Sequence, residues 1–190
     1  FEHMMFRGTK KYPDHSGVLT RIGADNNAFT SDDMTVYYVV ASSESLAQVM
    51  DLEADRFKNL DYSEEDFRVE AGAVLGEFNQ GRANPFLHLY EAVRGTAFTR
   101  HTYRHLTIGL EPDVRSMPEG YEYSRSFFRR YYRPENCVLL LVGDFDWDTA
   151  ERMIREHYAD WEPGYVPPKI QPEPEQREPR RKEVYFPGQT

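Results

Sequence analysis

The order of its periodic segments restricts what this chain can fold into. Residues 28–42 are rich in β-branched and aromatic side chains, which predicts a pair of strands or one bent strand. Apolar residues recur at helical spacing in the segments that follow, for example over residues 46–57 and 67–78. Residues 138–142 form a continuous apolar run, which is typical of a buried strand. This order is typical of an α+β or a layered α/β fold. We expect the α+β class, with a layered antiparallel or mixed sheet and helices packed on one face.

Proline content and helical periodicity divide the chain. Proline and charged residues become frequent after Trp161, a composition typical of an extended linker. We therefore predict one domain over residues 1–162, a Pro-rich linker over 163–181, and the start of a further strand or domain over 182–190. Inside the first domain, further helices are predicted over residues 63–84, 87–98, 118–131 and 149–158.

Composition excludes several classes of protein. A net charge of −9 argues against a nucleic-acid-binding surface, which needs surplus Lys and Arg to neutralise phosphates. No apolar run approaches the length of a membrane-spanning helix. The one cysteine, Cys137, precludes an internal disulfide and is expected to be a buried structural thiol. The cellular compartment stays open, with the bacterial periplasm preferred to the cytoplasm.

Glu2 and His3 form the first candidate for chemistry. In the inverted zinc motif H-x-x-E-H, both histidines lie on one helix face and the Glu beside the second one is the general base. Phe1, Glu2 and His3 match the last three positions of that motif, and its first His would fall two positions before Phe1, outside the chain. A Glu next to a His is otherwise an ordinary pair on the surface or in the core. Only the surrounding sequence can indicate whether this pair belongs to a zinc motif.

A second acidic candidate lies on the helix predicted to begin near residue 63. Glu77 could supply a carboxylate ligand to a metal, and Glu70 lies two turns earlier on the same helix face. The same stretch also contains Glu64 and Glu65, so from the residues alone a solvated acidic stripe is the preferred explanation.

Several segments, in the correct order along nearly the whole chain, resemble one family. They are FEHMMFRGT, GADNNAFTSDDMTVYY, VEAGAVLGEF and FFRRYYRPENCVLLLVGDFD. Together they are similar to the pitrilysin/insulinase family of zinc metallopeptidases, which includes the mitochondrial processing peptidases and many bacterial zinc proteases. The resemblance implies the N-terminal, zinc-bearing domain of such an enzyme.

The resemblance implies hydrolysis of peptide bonds in extended peptides with Zn²⁺ as the cofactor. His3 and Glu77 would bind the zinc, Glu2 would be the catalytic base, and Glu70 would support the site without binding metal. A second homologous domain or subunit would close over the substrate. The edge strand that lines the substrate groove corresponds to Asn27, Ala28, Phe29 and Thr30.

Two other functions remain open from the sequence. A non-catalytic family member could keep the fold for assembly, and a peptide-binding module could use the same edge strand without hydrolysis. Retention of Glu2, His3 and Glu77 favours catalysis, because non-catalytic relatives typically lose part of the zinc motif. With the first His outside the chain, we expect the 190-residue chain itself to bind zinc poorly and to be inactive, and the full-length protein to be active.

Overall fold

The computed structural model describes residues 1–187, which contain helices and one antiparallel pair of strands. The α+β class is thus confirmed, although the sheet is small. A 3-10 helix over Glu2–Phe6 is called the Glu2 turn below. The strands are β1 Asp25–Thr30 and β2 Thr35–Val40. The helices are α1 His15–Arg21, α2 Leu46–Asn59, α3 Glu64–Arg82, α4 Pro85–Ala97, α5 Glu111–Ser116, α6 Tyr121–Tyr131 and α7 Trp147–Tyr158.

Side-chain caps fix where several helices begin. Asp14 accepts a hydrogen bond from the Gly17 amide at the start of α1, and Asp146 caps α7 through the Thr149 amide. Asn84 caps α4, where proline occupies the first helical position. A cap satisfies a backbone N–H that has no partner inside the helix, so these starts lie within a few residues of the predicted ones.

The strand pair positions the candidate substrate edge. Its register runs from Asp25 opposite Val40 to Thr30 opposite Thr35, and residues 31–34 connect the two strands. Within the described residues, β1 pairs with β2 alone, so its other edge is open.

The predicted buried strand at residues 138–142 is wrong. In the part of the chain that the structure describes, these residues belong to no strand, and Val138 and Val142 are 89% and 86% exposed. Five apolar residues in a row form a buried strand only when neighbouring strands take up their backbone hydrogen bonds and both faces are covered. Neither condition is met here, although Leu139 is less exposed, at 43%. Cys137 is half-buried rather than fully buried, and burial raises the pKa of its thiol.

The chain forms two compact units. The first comprises Phe1–Thr30, Met34–Phe67 and Gly120–Val166, and one cluster of its core is formed by Val18, Leu19 and Leu52. Helices α2 and α7 pack together in this unit.

The second unit comprises Ser31–Asp33, Arg68–Glu119 and the described residues from Pro167 onward. The domain boundaries predicted from the sequence stay predictions. Residues 182–187 form no strand, and the rest of that segment, 188–190, lies outside the described residues.

The Pro-rich segment is anchored inside the second unit. Glu173 accepts hydrogen bonds from the backbone amides of Thr99, Arg100 and His101 and from the Thr99 hydroxyl. Loss of hydration opposes ionisation of this carboxylate, but the hydrogen bonds prevail and lower the pKa of Glu173 to about 2. Arg180 donates to the carbonyls of residues 96 and 97 at the end of α4.

Candidate active site

The Glu2 turn presents Glu2 and His3 at the surface of the first unit. Met4 and Met5 are 2% and 0% exposed, whereas Glu2 and His3 are half-exposed. The Phe1 ring packs against aromatic residues of α6 and the residue after it, with centroid distances of 5.3 Å to Phe127, 6.0 Å to Phe128 and 5.1 Å to Tyr132. Burial on both sides of the Glu–His pair therefore fixes the turn while leaving the two polar side chains accessible.

Arg56 of α2 also holds the Glu2 turn in place. Its guanidinium, in a residue only 1% exposed, donates to the Met5 carbonyl at 3.4 Å and lies 5.6 Å from the centre of the Phe6 ring. Its charge is balanced by Glu53, which accepts from Nε at 2.9 Å and also from Nη2. The buried His15 lies on the other side of that carboxylate, with Nε2 at 3.4 Å from Oε1. A buried charge needs such a partner to be tolerated.

The Glu2 carboxylate meets the end of β1. The hydroxyl of Thr30 donates to Oε2 of Glu2 at 3.0 Å. This contact joins the candidate base to the last residue of the predicted substrate edge, within one compact unit. Earlier in β1, the side-chain oxygen of Asn27 accepts from the Ala28 amide at 2.8 Å, and Phe29 is 50% exposed.

Two tyrosines form a neutral pair near Glu2. The hydroxyls of Tyr37 on β2 and Tyr132 are 2.6 Å apart. Burial raises the pKa of Tyr132 to about 12 and raises that of Tyr37 further, and the negative charge of Glu2 contributes to both rises. Both phenols therefore stay protonated at neutral pH. Sequence reasoning missed this pair, because the two residues are 95 positions apart and neither lies in a recognisable motif.

Glu70 and Glu77 both lie on α3, in the second unit. Glu70 is half-buried and Glu77 is exposed. Glu77 borders a small cavity of about 50 Å³, which is also lined by Phe78, Leu87 and His88. The convergence of these glutamates with Glu2 and His3 stays a prediction.

The candidate metal ligands are of the types that zinc accepts. Catalytic zinc takes imidazole nitrogens and carboxylate oxygens, commonly three protein ligands with one position left for water. An accessible imidazole at His3 and an exposed carboxylate at Glu77 fit two of those ligands. Among residues 1–187, no three His, Cys, Asp or Glu side chains are grouped so that they could hold a metal ion. The described residues therefore supply only part of a set of zinc ligands.

No helix in the same residues combines the length and apolarity needed to cross a membrane.

Comparison with known proteins gives consistent matches. Residues 1–109 match the family described as Insulinase (Peptidase family M16), and residues 120–190 match the one described as Peptidase M16 inactive domain. The zinc protease PqqE of Helicobacter pylori is 28% identical over 95% of this chain and 40% of its own length. Human mitochondrial-processing peptidase subunit beta is 26% identical over 84% of this chain and 32% of its own length.

The fold matches a solved protease as well. The structure of the first half of the periplasmic protease PqqL from Escherichia coli superposes with a TM-score of 0.78 and 25% identity, over 92% of this chain and 39% of that one. The chain thus spans two fifths or less of each of these proteins.

Proposed function

Because the chain belongs to the insulinase family of peptidases, family M16, we propose that it contributes the base and two metal ligands of a zinc metalloendopeptidase acting on extended peptides. One observation carries this proposal most directly. The candidate base, Glu2, is hydrogen-bonded to the end of the open strand edge along which an extended peptide can bind.

The proposed site residues have different roles in peptide hydrolysis. His3 and Glu77 would hold the zinc, the third ligand would come from the first position of the motif, two before Phe1, and Glu70 would support the ligand on α3. Zinc, when bound, polarises the scissile carbonyl and lowers the pKa of a bound water. Glu2 takes the proton from the attacking water and passes it to the leaving amine. A carboxylate offers about four acceptor positions, so the bond from Thr30 leaves capacity for that water.

An extended peptide would bind by adding a strand to β1. Its backbone would pair with the open edge at Asn27, Ala28, Phe29 and Thr30. At Ala28, a peptide carbonyl would replace the side-chain oxygen of Asn27, which now accepts from that amide. Such a site takes unfolded or extended segments in preference to folded surfaces.

A second homologous domain or subunit would complete the enzyme. This is supported by the relatives, since one is a half of a longer protease and another is a subunit. The periplasm as the compartment is supported by the periplasmic protease with the same fold.

A non-catalytic subunit is the second candidate function. It is consistent with the match of residues 120–190 to the family described as Peptidase M16 inactive domain, although the zinc protease PqqE also aligns over 95% of this chain. A subunit of this kind would keep the anchored turn and the open strand edge, and would show neither zinc-dependent cleavage nor loss of function on substitution of Glu2.

The test substitutes Gln for Glu2 in the full-length protein and follows cleavage of a quenched fluorescent extended peptide together with zinc content. Gln keeps the size and polarity of the side chain but cannot accept the proton. We expect cleavage to fall by about 10² to 10⁴, the usual contribution of a general base, with zinc retained. Glu44→Gln, at an exposed site in the same unit, is the matched control and should cleave normally. Unimpaired cleavage by Glu2→Gln refutes the role of Glu2, and absence of zinc and cleavage in the unsubstituted protein supports the non-catalytic subunit.

A further inference from the structure

We propose that Thr30 is a positioning residue for Glu2. Its side-chain hydroxyl holds the Glu2 carboxylate in the orientation from which proton transfer takes place. This inference rests on the proposed function, since it assigns Thr30 a role that acts through the base.

The contact joins two parts of the fold that are fixed independently. Thr30 is the last ladder residue of β1 and lies opposite Thr35 of β2, so its backbone is set by the strand pair. The Glu2 turn is set by the buried Met4 and Met5 and by the bond from Arg56 to the Met5 carbonyl. The Thr30 hydroxyl bridges them through a 3.0 Å bond to Oε2 of Glu2.

Glu2 needs such a contact because the backbone alone leaves its side chain mobile. Glutamate has several rotatable bonds, and a half-exposed carboxylate can take up many rotamers. A displacement of about 1 Å at a reacting group can cost about 10²-fold in rate. The Thr30 hydroxyl is the donor that the structure places on this carboxylate.

Threonine is well suited to hold the carboxylate. Its branched Cβ restricts the first side-chain torsion, so the hydroxyl has few directions to choose from once the strand is formed. The hydrogen bond uses Oε2, and the other acceptor positions of the carboxylate remain usable by a water molecule. The hydroxyl, rather than the methyl group, is therefore the atom that carries the role.

Three substitutions in the full-length protein separate a role of the Thr30 hydroxyl from a role of its methyl group or of the strand. Thr30→Val keeps the shape of the side chain and removes the hydroxyl, whereas Thr30→Ser keeps the hydroxyl and removes the methyl group. Thr35→Val makes the same chemical change at the opposite position of the strand pair and is the matched control. The measurements are kcat, KM, zinc content, melting temperature, and the Glu2 side chain in crystal structures of the variants.

We expect Thr30→Val to lower kcat about tenfold to hundredfold, with KM, zinc content and melting temperature unchanged and Glu2 spread over more than one rotamer. Thr30→Ser should restore most of kcat and a single rotamer, and Thr35→Val should match the unsubstituted protein. Parental kcat with an ordered Glu2 in Thr30→Val would overturn the inference, and so would equal impairment in the Val and Ser variants.

A double substitution shows whether Thr30 acts through Glu2. If it does, adding Thr30→Val to Glu2→Gln causes little further loss, because residues that act as a unit are not additive. A further loss as large as that of Thr30→Val alone would contradict the inference. Normal cleavage by Glu2→Gln would instead refute the proposed function, and the rotamer measurement on Thr30→Val would still decide whether Thr30 orients Glu2.

Discussion

Replacing Arg56 with Met tests how the Glu2 turn is held in place. Arg56 is 1% exposed, donates to Glu53 and Met5, and lies 5.1–5.7 Å from the centres of three aromatic rings. Methionine fills a similar apolar volume but removes the charge and all of these hydrogen bonds. Glu53, whose side chain is 15% exposed, then keeps His15 as its remaining described partner, at 3.4 Å.

The expected cost follows from this burial. Removing one partner of a buried ion pair destabilises a protein by about 3–5 kcal/mol, because an uncompensated charge remains. Glu53 retains some exposure, which favours the lower end, about 3 kcal/mol. For a chain of this size each kcal/mol corresponds to about 2–4 °C in Tm, so the loss should be about 6–12 °C.

Thermal and urea denaturation of Arg56→Met measure this loss. The double variant Glu53→Leu/Arg56→Met removes both charges, and it should recover most of the stability, because replacing a buried pair by apolar residues is often neutral. Arg152→Met, at an exposed position of α7, is the control and should change the free energy of unfolding by less than about 0.5 kcal/mol. A Tm for Arg56→Met within about 2 °C of that of the unsubstituted protein would refute the reasoning. A double variant no more stable than the single one would refute it as well.

Three further predictions concern the rest of the fold. The folded-state pKa of Glu173 is about 2, below its usual value of 4.5. The hydrogen bonds that its carboxylate accepts therefore stabilise the Pro-rich segment above about pH 4.5, and this stabilisation is lost as the pH falls through about 2. Limited proteolysis of this segment should accelerate only in acid, and Glu173→Gln should accelerate it at neutral pH. Tyr37→Phe leaves the half-buried Tyr132 hydroxyl without its partner and should cost about 1–3 kcal/mol in urea unfolding, most of which Tyr132→Phe should restore. Asn84→Ala removes the cap of α4 and should cost about 1 kcal/mol, whereas Asn84→Ser should cost little.

The helices were predictable where periodicity and capping agree. Residues 46–57 show helical spacing, and α2 covers Leu46–Asn59. Helix α4 begins at Pro85, two residues before the predicted start at residue 87, because Asn84 and Pro85 cap and begin this helix, whereas the sequence pattern predicts them at the end of the preceding one. The short α5, Glu111–Ser116, was missed because six residues carry less than two turns of periodic pattern.

The apolar run at residues 138–142 shows what periodicity cannot predict. Continuous apolarity indicates that a segment suits a covered environment, but it does not reveal whether a neighbouring strand is available to pair with it. Val138 is 89% exposed, since the strands among residues 1–187 pair elsewhere. The pattern describes the segment's chemistry, and pairing depends on the rest of the fold.

The candidate site, like the fold, could be predicted from the sequence only in part. Glu2 and His3 were found through a short local motif, which a sequence displays directly. The contact between Thr30 and Glu2, 28 residues apart, and the burial of Arg56 depend on tertiary packing between residues of ordinary types. No local spacing predicts either, because both arise only when the strand pair and α2 pack against the Glu2 turn.

The most direct test of the central claim is anomalous diffraction at the zinc absorption edge from crystals of the full-length protein. We expect one zinc peak about 2.0–2.2 Å from a ring nitrogen of His3 and from a carboxylate oxygen of Glu77, the bond lengths usual for these ligands. The Glu2 carboxylate should lie next to that site without binding the ion. A zinc peak held by other residues, or His3 and Glu77 more than about 8 Å apart with no ion between them, would contradict the account, because such a separation exceeds any shared coordination by bonds of about 2 Å.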